Sequence, residues 1–489
     1  MPPEERLKAI SFAARPAVVG RYLGDLLLAV GLLTIVPAAV AGAFGDLLAS
    51  ATLATAAGVT AWVAMLLRRI PAPQSIQSNE AMIVASGAFV LAPLGAIVPF
   101  MASTHAGFLD AFFEAVSAVT TTGLTTLPSL DGLPESFLFT RAWMQWYGGL
   151  GIVTLSIPLL GSAGLAARRL ALPDAEGALI PESVRARARQ AIVFYTGLAV
   201  LGVIALAAAG ATPFDSVVHA LAGVSTGGFS SHDESLAAVG SWPVQAVATG
   251  LGLAGAVALP VYHRVRRNGL RALSGDVELR ALLGGCLALS VLLGITMLVE
   301  SKLALDHVLR SAPLLATSAQ TTTGFTPTSV AELGPTSKLM LIVSMLTGGS
   351  AHSTAGGMKL LRVLIAFRLL RWAVARTSFA SHAVSEPTLA GEALGTNEIQ
   401  RALVVILYFI LTVGLSWLPF VASGYDPMDS LFEVASAVGT TGLSTGISRV
   451  ELEWYLKLVL CADMLFGRVE ILALLVVLRP GTWWIRKAA

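Results

Sequence analysis

Short runs of threonine and glycine recur four times in the chain and carry its most distinctive chemistry. They are VTTTGLTT around Gly123, VSTGGFSS around Gly228, QTTTGFTP around Gly324 and VGTTGLST around Gly442. Glycine allows a positive φ at little cost, whereas the stiff β-branched threonines hold the backbone and add a hydroxyl. Backbone carbonyls fixed in this way replace the hydration shell of a monovalent cation, as in potassium-selective filters.

The four runs predict one ring of ligands to which each run contributes three residues. The predicted ring residues are Thr121, Thr122 and Gly123, then Thr226, Gly227 and Gly228, then Thr322, Thr323 and Gly324, and finally Thr440, Thr441 and Gly442. One such run alone is weak, because small residues are common wherever membrane helices pack closely. Four copies in equivalent settings favour a shared function.

An aspartate stands thirteen residues before the glycine in three of the four copies. These residues are Asp110, Asp215 and Asp429, and the third copy has Ser311 instead. Aspartate is a preferred helix N-cap. We therefore expect each aspartate mainly to cap a short helix that leads into the Thr/Gly run, with a secondary contribution to cation attraction.

The composition indicates whether these runs lie in water or in a lipid bilayer. Of 489 residues, 55% are hydrophobic and 13% are charged, which predicts an integral membrane protein. Stretches long enough to cross a hydrocarbon core of ~30 Å lie at 22–44, 48–67, 80–102, 138–160, 190–210, 244–262, 281–299, 338–372, 401–423 and 456–478. No cleavable signal peptide is expected, since the first span lacks a short apolar region with a cleavage site. Cys286 and Cys461 lie inside apolar spans, and we interpret them as packing residues.

The predicted fold is all-α, with four parallel pseudo-repeats around one central pore. Each repeat consists of a span, a half-helix, a Thr/Gly loop and a second span, and two extra N-terminal helices precede the first repeat. The predicted divisions are 1–75 for the N-terminal hairpin, 76–165, 186–268, 277–376 and 398–480 for the four repeats, with a loop inside the membrane in the third. Irregular backbone at membrane depth must be buried in protein or line a cavity.

The distribution of basic residues predicts the topology. Lys and Arg are concentrated in 1–21, 68–69, 168–189, 264–280, 359–376 and 479–487. By the positive-inside rule these segments, and with them both termini, face the cytoplasm. The segments 103–140 and 211–242 contain acidic residues but no Lys or Arg. We expect them to face outward and to favour cations.

A run of small residues, GGSAHSTAGG, interrupts the apolar segment 338–372. A helix kink is the simplest interpretation. An intramembrane serine hydrolase is disfavoured, because Ser350 and His352 are too close in sequence to converge and no acid is nearby. A phosphate-binding P-loop is also disfavoured, since Gly356 to Lys359 lacks the required spacing.

Arg468 lies in the apolar run 456–478, with Asp463 and Glu470 nearby. An ionisable group at such depth is costly and indicates a function by default. Two alternatives remain at this stage. Arg468 forms an ion pair with Glu470 or another acid, or it faces a permeation path.

Several stretches together resemble the potassium-translocating subunits of bacterial Trk and Ktr uptake systems, relatives of plant HKT transporters. They are STGGFSSHDES at 225–235, TTTGFT at 321–326, GGSAHSTAGGMKLLR at 348–362, QWYGGLGI at 145–152 and MLFGRVEI at 464–471. The resemblance covers nearly the whole chain, and the two extra N-terminal spans are similar to those of the Trk branch. His352 stands where this family is expected to have glycine.

The resemblance implies potassium uptake across a bacterial cytoplasmic membrane, with the potassium ion as substrate and no organic cofactor. It implies a gate under the filter, formed by an intramembrane loop and Arg468. The expected gate residues are Gly348, Gly349, Ser350, Ser353, Thr354, Gly356, Gly357 and Arg468. It also implies a homodimer with a cytosolic nucleotide-binding partner, and neither enzymatic activity nor a nucleic-acid partner is expected.

A secondary transporter that couples potassium to proton or sodium movement is the alternative. Such transporters show inverted repeats and carboxylates at the midplane. Here the repeats are parallel, and the Thr/Gly runs are all predicted on the outer side. Flux through a filter is therefore the favoured interpretation.

Overall fold

The computed structural model describes residues 13–71, 73, 76–159, 181–239, 241–269, 271–378, 385–469 and 471–483. The first six helices are α1 (Pro16–Ala43), α2 (Leu47–Arg68), α3 (Ser78–Leu91), α4 (Ile97–Thr104), α5 (Phe108–Val119) and α6 (Glu135–Leu159). The next seven are α7 (Pro181–Ala209), α8 (Pro213–Val224), α9 (Trp242–Ala256), α10 (Leu259–Asn268), α11 (Arg271–Ser274), α12 (Val277–Val299) and α13 (Leu305–Gln320). The last seven are α14 (Pro335–Thr347), α15 (Leu360–Arg376), α16 (Thr396–Ala422), α17 (Pro427–Val438), α18 (Trp454–Val469), α19 (Ile471–Leu478) and α20 (Pro480–Trp483).

The long helices present apolar side chains on their outside, as expected of a protein embedded in lipid. Along α12, for example, Leu287, Val291 and Ile295 follow one another at helical spacing and are more than half exposed. Among the described residues, six helices are long and apolar enough to cross a bilayer, or seven if the bent pair α9 and α10 counts as one. The helical membrane fold predicted from composition is confirmed. The one small sheet described pairs Thr388–Leu389 with Glu392–Ala393.

Four short helices form the recurring feature of the bundle. They are α5, α8, α13 and α17, of 12, 12, 16 and 12 residues. At ~1.5 Å per residue these helices are about 18 to 24 Å long, too short to cross a membrane core of ~30 Å. We call them half-helices. Each follows a long helix, or in the first case the α3–α4 segment, and leads through a Thr/Gly loop into α6, α9, α14 or α18.

Two of the predicted spans are broken rather than continuous. The span predicted at 244–262 divides into α9 and α10, which are bent by 91°. Pro260 lies in the first turn of α10, where its missing amide costs no helical hydrogen bond, and the two residues that precede α10 are extended, Val257 with ψ 137° and Ala258 with ψ 130°. The span predicted at 338–372 divides into α14 and α15 around the small-residue run, as expected.

Hydrophobic clusters unite neighbouring repeats. The largest joins the α3–α6 region to α7, α8 and α9, and a second joins α5 to α16, α17 and α18. Both cysteines are buried and unbonded to each other, as predicted. α1 and α2 form a hairpin outside the four repeats, with Asp46 capping α2 through a 3.0 Å hydrogen bond from the Ala49 amide.

Candidate functional site

The four Thr/Gly loops share one backbone conformation at the ends of the half-helices. We call residues 120–123, 225–228, 321–324 and 439–442 the ring loops. In each, the residue before the glycine donates its amide to the carbonyl five residues earlier, at 2.8 to 2.9 Å, as from Thr122 to Ser117. The first residue of each predicted triplet is left-handed, with φ between 47° and 55°: Thr121, Thr226, Thr322 and Thr440. The glycines also have positive φ, between 73° and 91°.

The ring loops contact one another in cyclic order. A Cβ placed on Gly123 would collide with the Gly227 carbonyl oxygen, and one on Gly228 would collide with that of Thr323. The same holds between Gly324 and Thr441, and between Gly442 and Thr122, which closes the circle. The structure therefore brings all twelve predicted ring residues together. Glycine is favoured here both by φ and by the close approach of the next loop, so that a side chain at these positions displaces the neighbouring carbonyl.

The threonine hydroxyls of the ring are buried but unequally used. The Thr322 hydroxyl accepts from the Gly356 amide at 2.6 Å, and the Thr226 hydroxyl donates to the Ser225 carbonyl at 2.7 Å. Those of Thr121 and Thr440 have no hydrogen-bond partner within the described part of the chain. Buried oxygen atoms without a partner are suited to a cation that replaces water around it.

The three repeated aspartates do not cap their half-helices, and this prediction was wrong. Gly107, Thr212 and Asp426 occupy the N-cap positions, three residues earlier. The aspartates lie in the first turn, from where they reach the chain that returns from the ring loop. Asp110 accepts from Thr126 at 2.7 Å and Asp215 from Ser231 at 2.5 Å, whereas Asp429 accepts through its backbone carbonyl from Thr445 at 3.4 Å.

A second hydrogen bond from the half-helix to the returning chain lies one helical turn further along α5, α8 and α17, whereas α13 has Leu315 at this position. Glu114 accepts from the Thr125 hydroxyl at 2.9 Å, and the His219 ring lies 3.0 Å from the Ser230 hydroxyl. Glu433 accepts from Ser444 at 2.8 Å and from the amides of Thr445 and Ser448 at 3.2 and 3.1 Å. We call these the outer ties. Sequence reasoning missed them, although glutamate recurs four residues after Asp110 and Asp429.

Basic side chains from the following helices link adjacent repeats on the same side. The Lys457 ammonium lies 2.5 Å from Asp110, and that of Lys338 lies 2.6 Å from Asp429. Within repeat 1, the Arg141 and Glu114 side chains are buried and 2.7 Å apart. None of these partnerships was predicted, because the pairs are distant in sequence.

The predicted gate residues form a loop packed against the inner ends of the half-helices. We call residues 348–359 the inner loop. The Thr354 hydroxyl donates to the carbonyls of Val224 and Gly255 at 3.1 and 2.9 Å. The Gly357 amide donates to the Gly439 carbonyl at 3.1 Å, and the Gln320 amide group donates to the Gly348 carbonyl at 2.8 Å. The inner loop therefore bonds to three of the four half-helix ends.

Arg468 is buried beside this loop. Its guanidinium donates to the Thr354 carbonyl at 2.7 Å and to the Gly148 carbonyl at 3.4 Å. Glu470, one of its predicted partners, lies outside the described residues. The other, Asp463, accepts from the Ser416 hydroxyl at 2.6 Å. Arg468 is thus joined to the inner loop, as the gate prediction requires.

Backbone hydrogen bonds engage two residues of the inner loop. Ser353 donates its hydroxyl to the Ser350 carbonyl at 2.6 Å. His352 has a left-handed backbone, with φ 59°, and its carbonyl accepts from the Leu259 amide at 3.3 Å.

A closed ring of four backbone loops, held by half-helices inside an apolar bundle, defines a membrane protein of the cation-transporter class. A family model described as TrkH, cation transport protein, matches residues 63–481. The chain belongs to this family, whose members are transporters rather than enzymes.

Individual relatives cover most of the chain. An uncharacterized cation transporter of Methanocaldococcus jannaschii is 29% identical over 417 residues, which cover 84% of each protein. The Trk system potassium uptake protein TrkH of Salmonella typhimurium is 31% identical over 408 residues, covering 81% of this chain and 83% of the relative. The crystal structure of the potassium transporter TrkH from Vibrio parahaemolyticus matches with a TM-score of 0.86 at 25% identity, over 96% of this chain and all of that one.

Proposed function

We propose that the chain carries potassium into the cell through the ring loops, which act as a selectivity filter. The observation that carries this proposal is the cyclic contact between the four glycines and the carbonyls of the neighbouring loops. Four equivalent backbone segments around one axis provide enough oxygen atoms to replace the hydration shell of one dehydrated ion.

Electrostatics support a cation as the substrate. The half-helices α5, α8, α13 and α17 end at the ring, so the negative ends of four helix dipoles face it. The partnerless hydroxyls of Thr121 and Thr440 add polar oxygen at the same place. The Salmonella and Vibrio relatives are named for potassium uptake and potassium transport, which favours potassium over other monovalent cations.

The inner loop and Arg468 act as the gate in this proposal. The loop is bonded across the inner ends of three half-helices, directly below the ring. Arg468, whose guanidinium stays charged at any accessible pH, is bonded to the Thr354 carbonyl in that loop. A fixed positive charge and a bonded loop together obstruct a cation until the loop moves.

Membership of the family and the charge pattern support a proposal for the assembly and its location. We propose a homodimer in a bacterial cytoplasmic membrane, with both termini in the cytoplasm, regulated by a cytosolic nucleotide-binding subunit. The basic segments 264–280 and 359–376 provide the docking surface for that subunit.

One observation favours coupled transport as the second candidate function. Asp463 is buried, and its Oδ2 atom has no hydrogen-bond partner among the residues that the structure describes. A buried carboxylate of this kind is a candidate carrier for a proton.

Reversal potentials distinguish the two functions. The purified chain, with its regulatory partner where flux requires it, is placed in liposomes under opposed potassium, sodium and proton gradients. We expect the reversal potential to follow the potassium gradient alone. A reversal potential that shifts with the proton or sodium gradient would support coupled transport, and a protein that does not distinguish potassium would refute the filter.

A further inference from the structure

The ring loop of repeat 2 differs from the other three at the residue before the glycine. Repeats 1, 3 and 4 have Thr122, Thr323 and Thr441 at this position, whereas repeat 2 has Gly227. In repeats 1 and 3 the threonine hydroxyl is paired with that of the residue two before it, at 2.8 and 2.7 Å. Repeat 2 has no side chain with which to make this bond.

Gln145 of α6 occupies the space beside Gly227. A Cβ on Gly227 would lie 2.8 Å from the Gln145 Nε2 atom and closer still to its Cδ atom. The side chain is completely buried. Its amide nitrogen donates to the Gly227 carbonyl at 2.6 Å, and its amide oxygen accepts from the Phe229 amide at 3.2 Å. One side chain of repeat 1 thus holds the backbone on both sides of Gly228.

The bonded carbonyl belongs to the ring itself. The Gly227 oxygen is the equivalent of the Thr122, Thr323 and Thr441 oxygens, each of which faces the glycine of a neighbouring loop. In the described part of the chain, it is the one among these four that accepts a side-chain hydrogen bond. A carbonyl fixed by a donor cannot turn freely, and part of its electron density is already engaged.

Arg141 packs beside Gln145 and contacts the same loop. Arg141, one helical turn earlier on α6, places its guanidinium 3.8 Å from the centre of the Phe229 ring. Arg141 also forms the buried pair with Glu114 of half-helix α5. Two side chains of α6 therefore contact the same loop segment: the Gln145 amide bonds to Gly227 and Phe229, and the Arg141 guanidinium lies on the Phe229 ring.

We propose that Gln145 is a positioning residue that sets the ion selectivity of the ring, by substituting from the neighbouring repeat for the threonine that repeat 2 lacks. This inference rests on the proposed function of the ring as a filter. It makes the ring asymmetric: the loops of repeats 1 and 3 have paired threonine hydroxyls, the Thr441 hydroxyl of repeat 4 has no partner among the described residues, and the loop of repeat 2 is held by the amide of Gln145.

Gln145→Met tests the inference, because it keeps the length and volume of the side chain but removes both hydrogen bonds. The matched control is Gln245→Met, since Gln245 donates to the Leu236 carbonyl at 2.9 Å and does not bond to the ring. Each variant of the full chain is expressed in cells that lack other potassium uptake. Potassium KM and maximal rate are measured at increasing external sodium, together with the melting temperature of the purified protein.

We expect Gln145→Met to lower the preference for potassium over sodium roughly five-fold, the factor that one hydrogen bond is worth. Gln245→Met should leave the preference unchanged. A merely structural role would lower the maximal rate and the melting temperature without changing the preference, and that outcome would overturn the inference.

A reciprocal exchange keeps the test decisive if Gln145→Met fails to fold. Gly227→Thr alone should abolish uptake, because its Cβ would collide with the Gln145 side chain. Adding Gln145→Ala removes the colliding atoms and should restore selective uptake, since repeat 2 then matches the other loops. No rescue in a folded double variant would contradict the substitution of one residue for the other.

Different results would refute the proposed filter and the proposed role of Gln145. If the wild-type chain shows no preference for potassium, the proposed filter is wrong. If the wild type is selective and Gln145→Met is equally selective, the filter stands and the role of Gln145 is refuted.

Discussion

Repeats 3 and 4 have nearly the same ring loop but hold it by different means. In repeat 4, the half-helix α17 carries Asp429 and Glu433, and both reach the returning chain. In repeat 3, the corresponding residues of α13 are Ser311 and Leu315. The Ser311 hydroxyl donates to a carbonyl of its own helix at 2.8 Å, so these positions supply no tie to the loop.

The returning chain of repeat 3 is held mainly by its neighbour, with one contact from its own half-helix, where the His307 ring lies 3.3 Å from the Thr328 hydroxyl. The Thr326 amide donates to the Ser235 hydroxyl at 3.3 Å, and the Thr326 carbonyl accepts from the Ala237 amide at 3.2 Å. Both partners belong to repeat 2. The outer side of repeat 3 therefore depends on repeat 2, whereas repeat 4 is largely held by its own half-helix.

The inner ends of the two half-helices differ as well. α17 ends at Val438, whereas α13 ends at Gln320, whose amide donates to Gly348 and accepts from the Ser344 hydroxyl at 2.9 Å. Thr322, two residues further on, accepts from Gly356. Repeat 3 is thus tied closely to the inner loop, which follows it in the chain. Repeat 4 contacts the inner loop as well, because Gly439 at the C-cap of α17 accepts from the Gly357 amide at 3.1 Å, but there only through its backbone, whereas repeat 3 uses the side chains of Gln320 and Thr322.

Removing the outer tie of repeat 4 should have the largest effect on stability. Glu433→Ala leaves the Ser444 hydroxyl and the amides of Thr445 and Ser448 without their acceptor. The three donor residues are half-buried, and a hydrogen bond contributes about 1 kcal/mol net, so we expect a loss of ~3 kcal/mol. Thermal unfolding of the purified protein measures it.

Glu433→Gln is the matched control, because it keeps one acceptor oxygen and nearly the same volume. Its destabilisation should be clearly smaller than that of Glu433→Ala. Equal melting temperatures for the alanine variant and the wild type would show that the outer tie does not hold repeat 4.

A change at the inner side should alter flux rather than stability. Arg468→Ala removes the bond to the Thr354 carbonyl and a positive charge from a poorly screened cavity. We expect several-fold faster potassium uptake in uptake-deficient cells and a melting temperature close to that of the wild type.

The opposite result has a specific meaning. If Arg468 instead compensates a buried acid, its loss leaves that acid unpaired at a cost of about 3–5 kcal/mol. An unstable, inactive Arg468→Ala protein would therefore contradict a gating role.

The smallest expected effect compares equivalent residues of the two repeats. Ser444→Ala removes one hydroxyl bonded to the Glu433 carboxylate, which is worth about 1.5–3 kcal/mol. Thr326→Ala removes a hydroxyl from the equivalent position in repeat 3, where the contacts to repeat 2 use the Thr326 backbone, and should cost less than ~0.5 kcal/mol. If both variants melt alike, the two repeats are not held differently.

The class of fold and the positions of the ring loops could be predicted from the sequence. Four Thr/Gly runs, each after a short apolar stretch, predicted the half-helices and the position of their ends, because glycine and threonine have strong local backbone preferences. The break in 338–372 was predictable for the same reason. The division of the chain into repeats at the stated boundaries remains a prediction.

The side-chain partners could not be predicted in the same way. Lys457 and Asp110 are separated by 347 residues, and Gln145 and Gly227 by 82. Only the folded ring places them side by side. A helix cap is the role that local sequence predicts for the three aspartates. The hydroxyl partners of Asp110 and Asp215, however, lie sixteen residues further along the chain.

Ion competition in Gly123→Ser is the sharpest test of the ring as a filter, since a side chain at Gly123 would meet the Gly227 carbonyl of the adjacent ring loop. The variant and the wild type are compared for potassium uptake against increasing external sodium, with melting temperatures to show that both are folded. We expect Gly123→Ser to have a clearly reduced preference for potassium over sodium while it still carries ions. A folded variant that discriminates between potassium and sodium as well as the wild type would contradict the assignment of the ring as the selectivity filter.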